Sequence, residues 1–214
     1  MTPLFTEKLR KSLLLPLPGT DVQWEMASSD RRIKAFPRSG GPESRQGAVM
    51  ILLYPHMGTL FTLFMQRPVY QGVHSGQISF PGGKREGADI NLTETALRET
   101  EEETGISRND IEILGSLTPL HIPVSNITVT PVVGYIPYRP VFTPQKSEVV
   151  CLIEAEMEFF AGATGVKETE MEIMETPVMV RYHDFNGHVI WGATAMILHE
   201  LIVVMERASI TWQE

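Results

Sequence analysis

The chain has 214 residues, 43% hydrophobic and 21% charged, the usage of an ordinary globular protein long enough to bury a core without staples. Its formal net charge of −8 disfavours a general nucleic-acid binder, which needs a basic footprint. It does not exclude a small phosphorylated substrate, because a divalent cation can offset the repulsion locally.

The single cysteine, Cys151, excludes an intramolecular disulfide and fits a reducing, cytoplasmic setting. Its neighbours Val149, Val150, Leu152 and Ile153 favour an inert side chain over a nucleophile. No stretch approaches the ~20 apolar residues of a membrane span. Lys8, Arg10 and Lys11 precede a short leucine run that Pro16 and Pro18 interrupt. It reads as a local helix and turn, not a signal peptide.

In chain order, residues 1–45 are expected to form an N-terminal helix and an irregular lead-in, closed by the turn Gly40-Gly41-Pro42. Ala48 to Tyr54 reads as a buried strand, Pro55 to Gly58 as a turn and Thr59 to Gln66 as its hairpin partner. Ile78 to Phe80 is short and extended, and Pro81-Gly82-Gly83 is expected to stop it. Residues 92–104 are the clearest helix. Asn91 with Glu94 three positions on has capping-box spacing, and Gly105 stands where a left-handed C-terminal cap belongs. Strands are expected near 111–118, 127–136 and 147–153, and a short helix from Met157 to Gly162. Late strands follow at Val178–Tyr182 and Val189–Trp191, then a closing amphipathic helix from Ala193 to about Arg207. This mixture predicts one α/β domain with a sheet sandwiched between helices.

The chemistry is concentrated in PGGKREGADINLTETALRETEEETGI, residues 81–106. On a helix at ~100° per residue, Glu99, Glu102 and Glu103 fall within an arc of about 100°, while Glu101 points away. Like charges at such spacing repel. An isolated cluster of this kind is usually just solvated surface; the glycines, the cap and Arg98 at fixed offsets argue otherwise. Hard divalent cations prefer oxygen ligands and are often shared with phosphates, so carboxylates beside a glycine turn suit such a cation. The glycines permit close backbone approach and free a carbonyl.

This segment resembles the Nudix box, G-x5-E-x7-R-E-U-x-E-E-x-G-U with U a bulky apolar residue. Arg98, Glu99, Glu102, Glu103, Gly105 and Ile106 match. Thr100 replaces the first apolar position. The Gly83–Arg98 interval is one residue longer than the pattern, with Asp89 near the place of the early glutamate. Upstream, LFMQRPVYQGVHSGQISFPGG resembles the coenzyme A pyrophosphatase branch, L-L-T-x-R-[SA]-x3-R-x3-G-x3-F-P-G-G, through Leu63, Arg67, Gly76, Phe80, Pro81, Gly82 and Gly83. Gly72 stands where that branch has a second arginine, and Phe64, Met65 and Pro68 also depart. Ser147-Glu148-Val149 and Ile190-Trp191-Gly192-Ala193-Thr194-Ala195 resemble the same branch.

The resemblance implies a Nudix-type α/β/α sandwich with a mixed sheet and a loop-helix-loop box. It implies Mg²⁺ or Mn²⁺ held by Glu99, Glu102, Glu103 and the Gly83 carbonyl. Glu102 is the in-box candidate for general base, although in this family the base can lie outside the box. Arg98 is expected to orient a box glutamate. Arg67 is expected to meet a substrate phosphate or form a structural salt bridge. His74, Gln77 and Lys84 complete the expected substrate contacts.

His56 and His121 are expected in turns, and His183, His188 and His199 have no evident partner. Trp191 reads as a core anchor rather than a stacking platform. Met171, Met174 and Met179 read as core filler or a flexible lining suited to an acyl or pantetheine chain.

The expected partner is a small nucleoside diphosphate derivative, with no nucleic acid and no membrane; such enzymes are often homodimers. The leading function is cleavage of coenzyme A or acyl-CoA to 3′,5′-ADP and (acyl-)phosphopantetheine. The alternatives are hydrolysis of ADP-ribose or a dinucleotide, and a non-catalytic nucleotide sensor.

Overall fold

Strand β1 (Arg45–His56) is central in the computed structural model, which describes residues 3–30, 37–72, 74–162, 165–173 and 176–210. Its middle, from Met50 to Tyr54, is wholly buried, as befits a strand covered on both faces. Met57 (φ 50) and Gly58 (φ 78) make a tight left-handed turn into β2 (Thr59–Gln66), with His56 opposite Thr59. The turn is shorter than expected: Pro55 and His56 remain in β1.

Along its other edge β1 runs parallel to β7 (Ile127–Tyr135), which pairs antiparallel with β5 (Glu112–Ser116) and β6 (Leu120–Ile122). The hairpin strand β2 also pairs with β3 (Ile78–Ser79) and β8 (Cys151–Glu156). Gly82-Gly83, expected to end an extended segment, instead forms β4 (Gly82–Lys84), antiparallel to Gly47–Val49 of β1. β8 begins later than expected, because 146–148 form a turn closed by the Glu148 and Val149 N–H groups, which donate to the Gln145 carbonyl.

The alternation of β1 divides the core. Met50, Leu52 and Tyr54 join Leu63, Ala96 and Leu97 against α3 (Leu92–Thr104). Ile51 and Leu53 face the opposite layer, where Leu9 of α1 (Pro3–Leu13), Trp24 of α2 (Gly19–Glu25) and Leu198 and Leu201 of α5 (Gly192–Arg207) pack. This is the expected α/β/α sandwich. The lead-in, expected to be irregular, contains α2. Its anchor is Glu200, wholly buried, which accepts from the Gly19 N–H, Gln23 Nε2, the Thr118 N–H and Thr118 Oγ1 at 3.0, 2.8, 3.2 and 2.6 Å.

The short helix α4 (Met157–Phe160) follows β8, and a second, three-stranded sheet then forms from β9 (Val166–Ile173), β10 (Thr176–Phe185) and β11 (His188–Trp191). β10 and β11 were partly legible. β9 was not, because its glutamates at 168, 170 and 172 mask a strand that tertiary pairing imposes. Met174 lies outside the described residues. No described helix is long and apolar enough to cross a membrane.

Candidate active site

Helix α3 is set by its own ends. Asn91 Oδ1 accepts from the Glu94 N–H at 2.9 Å, and Gly105 (φ 74) closes the other end with its N–H on the Glu101 carbonyl at 2.9 Å. Thr100, which departs from the box pattern, is wholly buried and bonds back to the Ala96 carbonyl at 2.7 Å, so its hydroxyl is satisfied within the helix.

The glycines of β4 form the floor beneath this helix. A Cβ on Gly82 would stand 2.3 Å from the Ala48 carbonyl oxygen, and one on Gly83 would stand 2.4 Å from Glu99 Oε1. Only glycine lets β4 lie between β1 and α3 this closely. The Gly82 N–H donates to Glu103 Oε2 at 2.8 Å.

The three box glutamates therefore occupy different environments. Glu103 is 2% exposed, and burial pushes its carboxyl up to about 8, against the pull of the Gly82 N–H and Arg67. Glu99 is also raised by burial, opposed by Arg98. Glu102 is half exposed and tied to Arg98 Nη1 at 3.0 Å. Glu101 points away, as expected, and pairs with Arg108 at 2.7 Å.

Arg98 was expected to hold a box glutamate and contacts two, Glu99 at 3.1 Å and Glu102 at 3.0 Å. Its strongest hold is elsewhere. Nε and Nη2 bond both oxygens of buried Asp89, and Nη2 also donates to the Lys84 carbonyl. Asp89 further accepts from the Glu86 N–H and Thr95 Oγ1. The Arg98 hydrogen bond, ahead of these, holds the Asp89 carboxyl well below the usual carboxylate range. The extra residue in the box is thus accommodated by a loop folded around Asp89. Arg98 bridges Asp89 to Glu99 and Glu102.

Gly83, whose carbonyl was expected among metal ligands, stands opposite Ala48 with its oxygen 2.6 Å from where a Cβ on Gly47 would lie, so it faces β1. The Gly82 carbonyl is the one turned to the site, accepting from Arg67 Nη2 at 3.1 Å. Among the described residues Arg67 forms no salt bridge; its charge still acts on Glu103. Lys84 has an exposed side chain and contributes its carbonyl to Arg98. His74 (φ 73) contacts Gln77 Oε1 at 3.0 Å and Ser125 Oγ at 3.3 Å. The Gln77 carbonyl accepts the Arg67 N–H at 3.0 Å, tying this loop to the site.

Two features escaped the sequence. Exposed Glu148, from the turn before β8, is close enough to raise both Glu99 and Glu103. Its sole signal was the Ser147-Glu148-Val149 likeness. Secondly, a cavity of about 360 Å³ opens beside Gln77 between β3 and the small sheet. Trp191, expected as a core anchor, is half-buried and lines it, as does Met171, which was expected to fill or line.

Among the described residues, no three imidazole, thiol or carboxyl groups are already gathered into a ligand cage, since Arg98 and the Gly82 N–H hold the glutamates. The donor set nonetheless suits a hard divalent cation: carboxylates and a backbone carbonyl, with burial disfavouring the ionised form of Glu103 that a cation would stabilise.

Buried carboxylates facing an arginine on a mixed sheet suit the hydrolysis of a charged phosphoanhydride, and likeness to known proteins places the chain in that class. Residues 44–155 match the family model described as the NUDIX domain. The chain is 35% identical over 159 residues to the protein named uncharacterized Nudix hydrolase NudL of Pectobacterium atrosepticum, covering 74% of this chain and 82% of that one. It is 33% identical over 161 residues to Nudix hydrolase 22, chloroplastic, of Arabidopsis thaliana, covering 72% of this chain and 53% of that one. A MutT/nudix family protein from Enterococcus faecalis shares the fold at a TM-score of 0.50 and 16% identity, covering 87% of this chain and 73% of that one. The chain belongs to the Nudix hydrolase family. It is a Nudix diphosphatase acting on nucleoside diphosphate derivatives, in a family whose members generally use divalent metals.

Proposed function

We propose that this chain hydrolyses the diphosphate of coenzyme A or acyl-CoA, giving 3′,5′-ADP and (acyl-)phosphopantetheine. The reaction rests on one observation above the others: Glu103 is buried on the Gly82 N–H, within the field of Arg67 and Glu99. The substrate rests on the likeness of residues 63–83 to the coenzyme A branch.

Glu99, Glu103 and the Gly82 carbonyl would hold Mg²⁺ or Mn²⁺, with Glu102 at the rim. Such an ion neutralises diphosphate charge and lowers the pKa of a bound water. Arg98 holds Glu99 and Glu102 in place, and Arg67 is free to trade the Gly82 carbonyl for a phosphate oxygen. Glu102 was the in-box candidate for base, but it is already tied to Arg98. Glu148, exposed beside Glu99 and Glu103, is the better base.

Gly72 in place of the branch's second arginine favours a second reading, hydrolysis of ADP-ribose or a dinucleotide. The sensor reading is not retained, since the box glutamates are all present and the relatives are hydrolases.

The test is incubation with Mg²⁺ and coenzyme A, acyl-CoA, ADP-ribose, NADH or diadenosine polyphosphates, with product identification. Release of 3′,5′-ADP at the highest kcat/KM supports the first reading, and preference for another compound the second. Turnover undiminished in both Glu99→Gln and Glu103→Gln would remove the assigned site.

A further inference from the structure

The cavity beside Gln77 has walls of two origins. One comes from the matched family domain: Gln66 at the end of β2 and Ser75 to Ile78. The other comes from the small sheet beyond that domain: Met171 of β9, His188 and Val189 of β11, and Trp191. Binding specificity is commonly carried by such additions to a shared scaffold.

Its position continues from the diphosphate site. Glu103 accepts from the Gly82 N–H, the Gly82 carbonyl accepts from Arg67, and the Arg67 N–H donates to the Gln77 carbonyl. Gln66, the next residue back along β2, is in the wall. Side chains alternate along β2, so Gln66, paired with Ile78, opens on the face opposite the box helix, and the cavity reaches the arginine around the end of the strand, through the Gln77 backbone.

Its chemistry restricts the occupant. Two primary amides, an indole, an imidazole and a thioether line it, and among the described residues that line it none is Asp, Glu, Lys or Arg. A charged group entering it would lose hydration without a counter-ion. A neutral group with amide-type donors and acceptors and an apolar body would match the glutamines and lie against Trp191 and Met171. The volume of about 360 Å³ is at the small end of ligand pockets and suits one such group rather than a whole substrate.

We propose that this cavity is the subsite for the neutral group, with hydrogen-bond donors and acceptors on an apolar body, that the substrate carries on the far side of its diphosphate, and that the small sheet is its specificity wall. The proposal rests on the hydrolase reading above for the placement of the diphosphate. The same chemistry has two sources, the amides of a pantetheine arm and the heteroaromatic base of a dinucleotide.

Turnover by wild type, Trp191→Ala and Met171→Phe would be compared on coenzyme A, on a diadenosine polyphosphate and on the methyl ester of ADP, which has no arm. The expected result is a loss of about tenfold or more in kcat/KM on an armed substrate, with the methyl ester within about twofold. Equal loss on armed and armless substrates, or no loss on either, overturns the proposal. Met171→Phe fills the cavity from the exposed sheet, so it reports even if Trp191→Ala fails to fold.

A binding arm separates this idea from the hydrolase reading. Fluorescence quenching by free pantetheine or free adenosine is measured without metal, in wild type and Trp191→Phe. Quenching present in wild type and absent in the variant supports the cavity even if no substrate is turned over, and the compound that quenches identifies the source. Absence of Trp191-dependent quenching by both overturns the proposal even if hydrolysis is robust.

Discussion

Arg98 holds Asp89 in a two-pronged grip, Nε to Oδ1 at 3.0 Å and Nη2 to Oδ2 at 3.1 Å, with the two side chains only 14% and 4% exposed. The same guanidinium contacts Glu99 and Glu102, so Asp89 fixes the residue that orients the acidic site. Deleting one partner of a buried pair leaves the other uncompensated. Asp89→Ala should lower unfolding stability by roughly 3 kcal/mol in urea titration. It should also cut kcat by about tenfold or more through misplaced glutamates. Arg98→Lys should not restore turnover, because an ammonium cannot reproduce the fork. Normal activity in Asp89→Ala would show that the grip is dispensable.

If Glu148 is the base, Glu148→Gln should reduce kcat by about a hundredfold or more, with little change in KM. Glu102→Gln should cost less, because Glu102 is half exposed and engaged with Arg98. The two variants are compared by saturation kinetics in Mg²⁺. A larger kcat defect in Glu102→Gln returns the role to the box.

Gly83 faces Glu99 so closely that an added methyl would stand 2.4 Å from Oε1. Gly83→Ala must therefore displace the Glu99 side chain. The expected outcome is a fold preserved by circular dichroism and turnover reduced by about tenfold or more. Wild-type kcat/KM in this variant would mean that the Glu99 position does not matter.

His183 is 1% exposed, its ring edge-on to Phe160 at 5.2 Å. Burial, then the neighbouring His199, lowers it from 6.5 to about 4, with the Gly165 backbone offsetting a little; His199 itself meets Glu25 at 3.0 Å. The folded value lies below the unfolded one, so the unfolded chain binds the extra proton. Stability is full above about pH 6.5 and falls as pH drops toward 4, by up to about 3 kcal/mol. Urea midpoints from pH 7 to 4 should show this slope, and His183→Phe should flatten it. An unchanged slope in His183→Phe assigns the acid sensitivity to other groups.

Glu200 joins α5 to α2 and to Thr118 through its four accepted bonds. Glu200→Ala would orphan those donors and cost at least about 3 kcal/mol. Hydrogen exchange should quicken across α1 and α2, while kcat per folded molecule stays near wild type. Unaltered exchange in that segment would show that apolar packing alone holds it.

The sequence by itself determined the box helix to its first and last residue, because caps and helical periodicity depend on neighbours three and four positions apart. It also determined the β1–β2 hairpin and the α/β class, through apolar runs separated by turn residues. Tertiary structure alone decided which glycine carbonyl faces the site, since one position along a strand reverses its direction. The Asp89 clamp, the approach of Glu148 and the two-walled cavity likewise join residues that no local pattern relates. Burial, which raises Glu103 but leaves Glu102 at the rim, is a property of packing that equal side chains in a sequence cannot express.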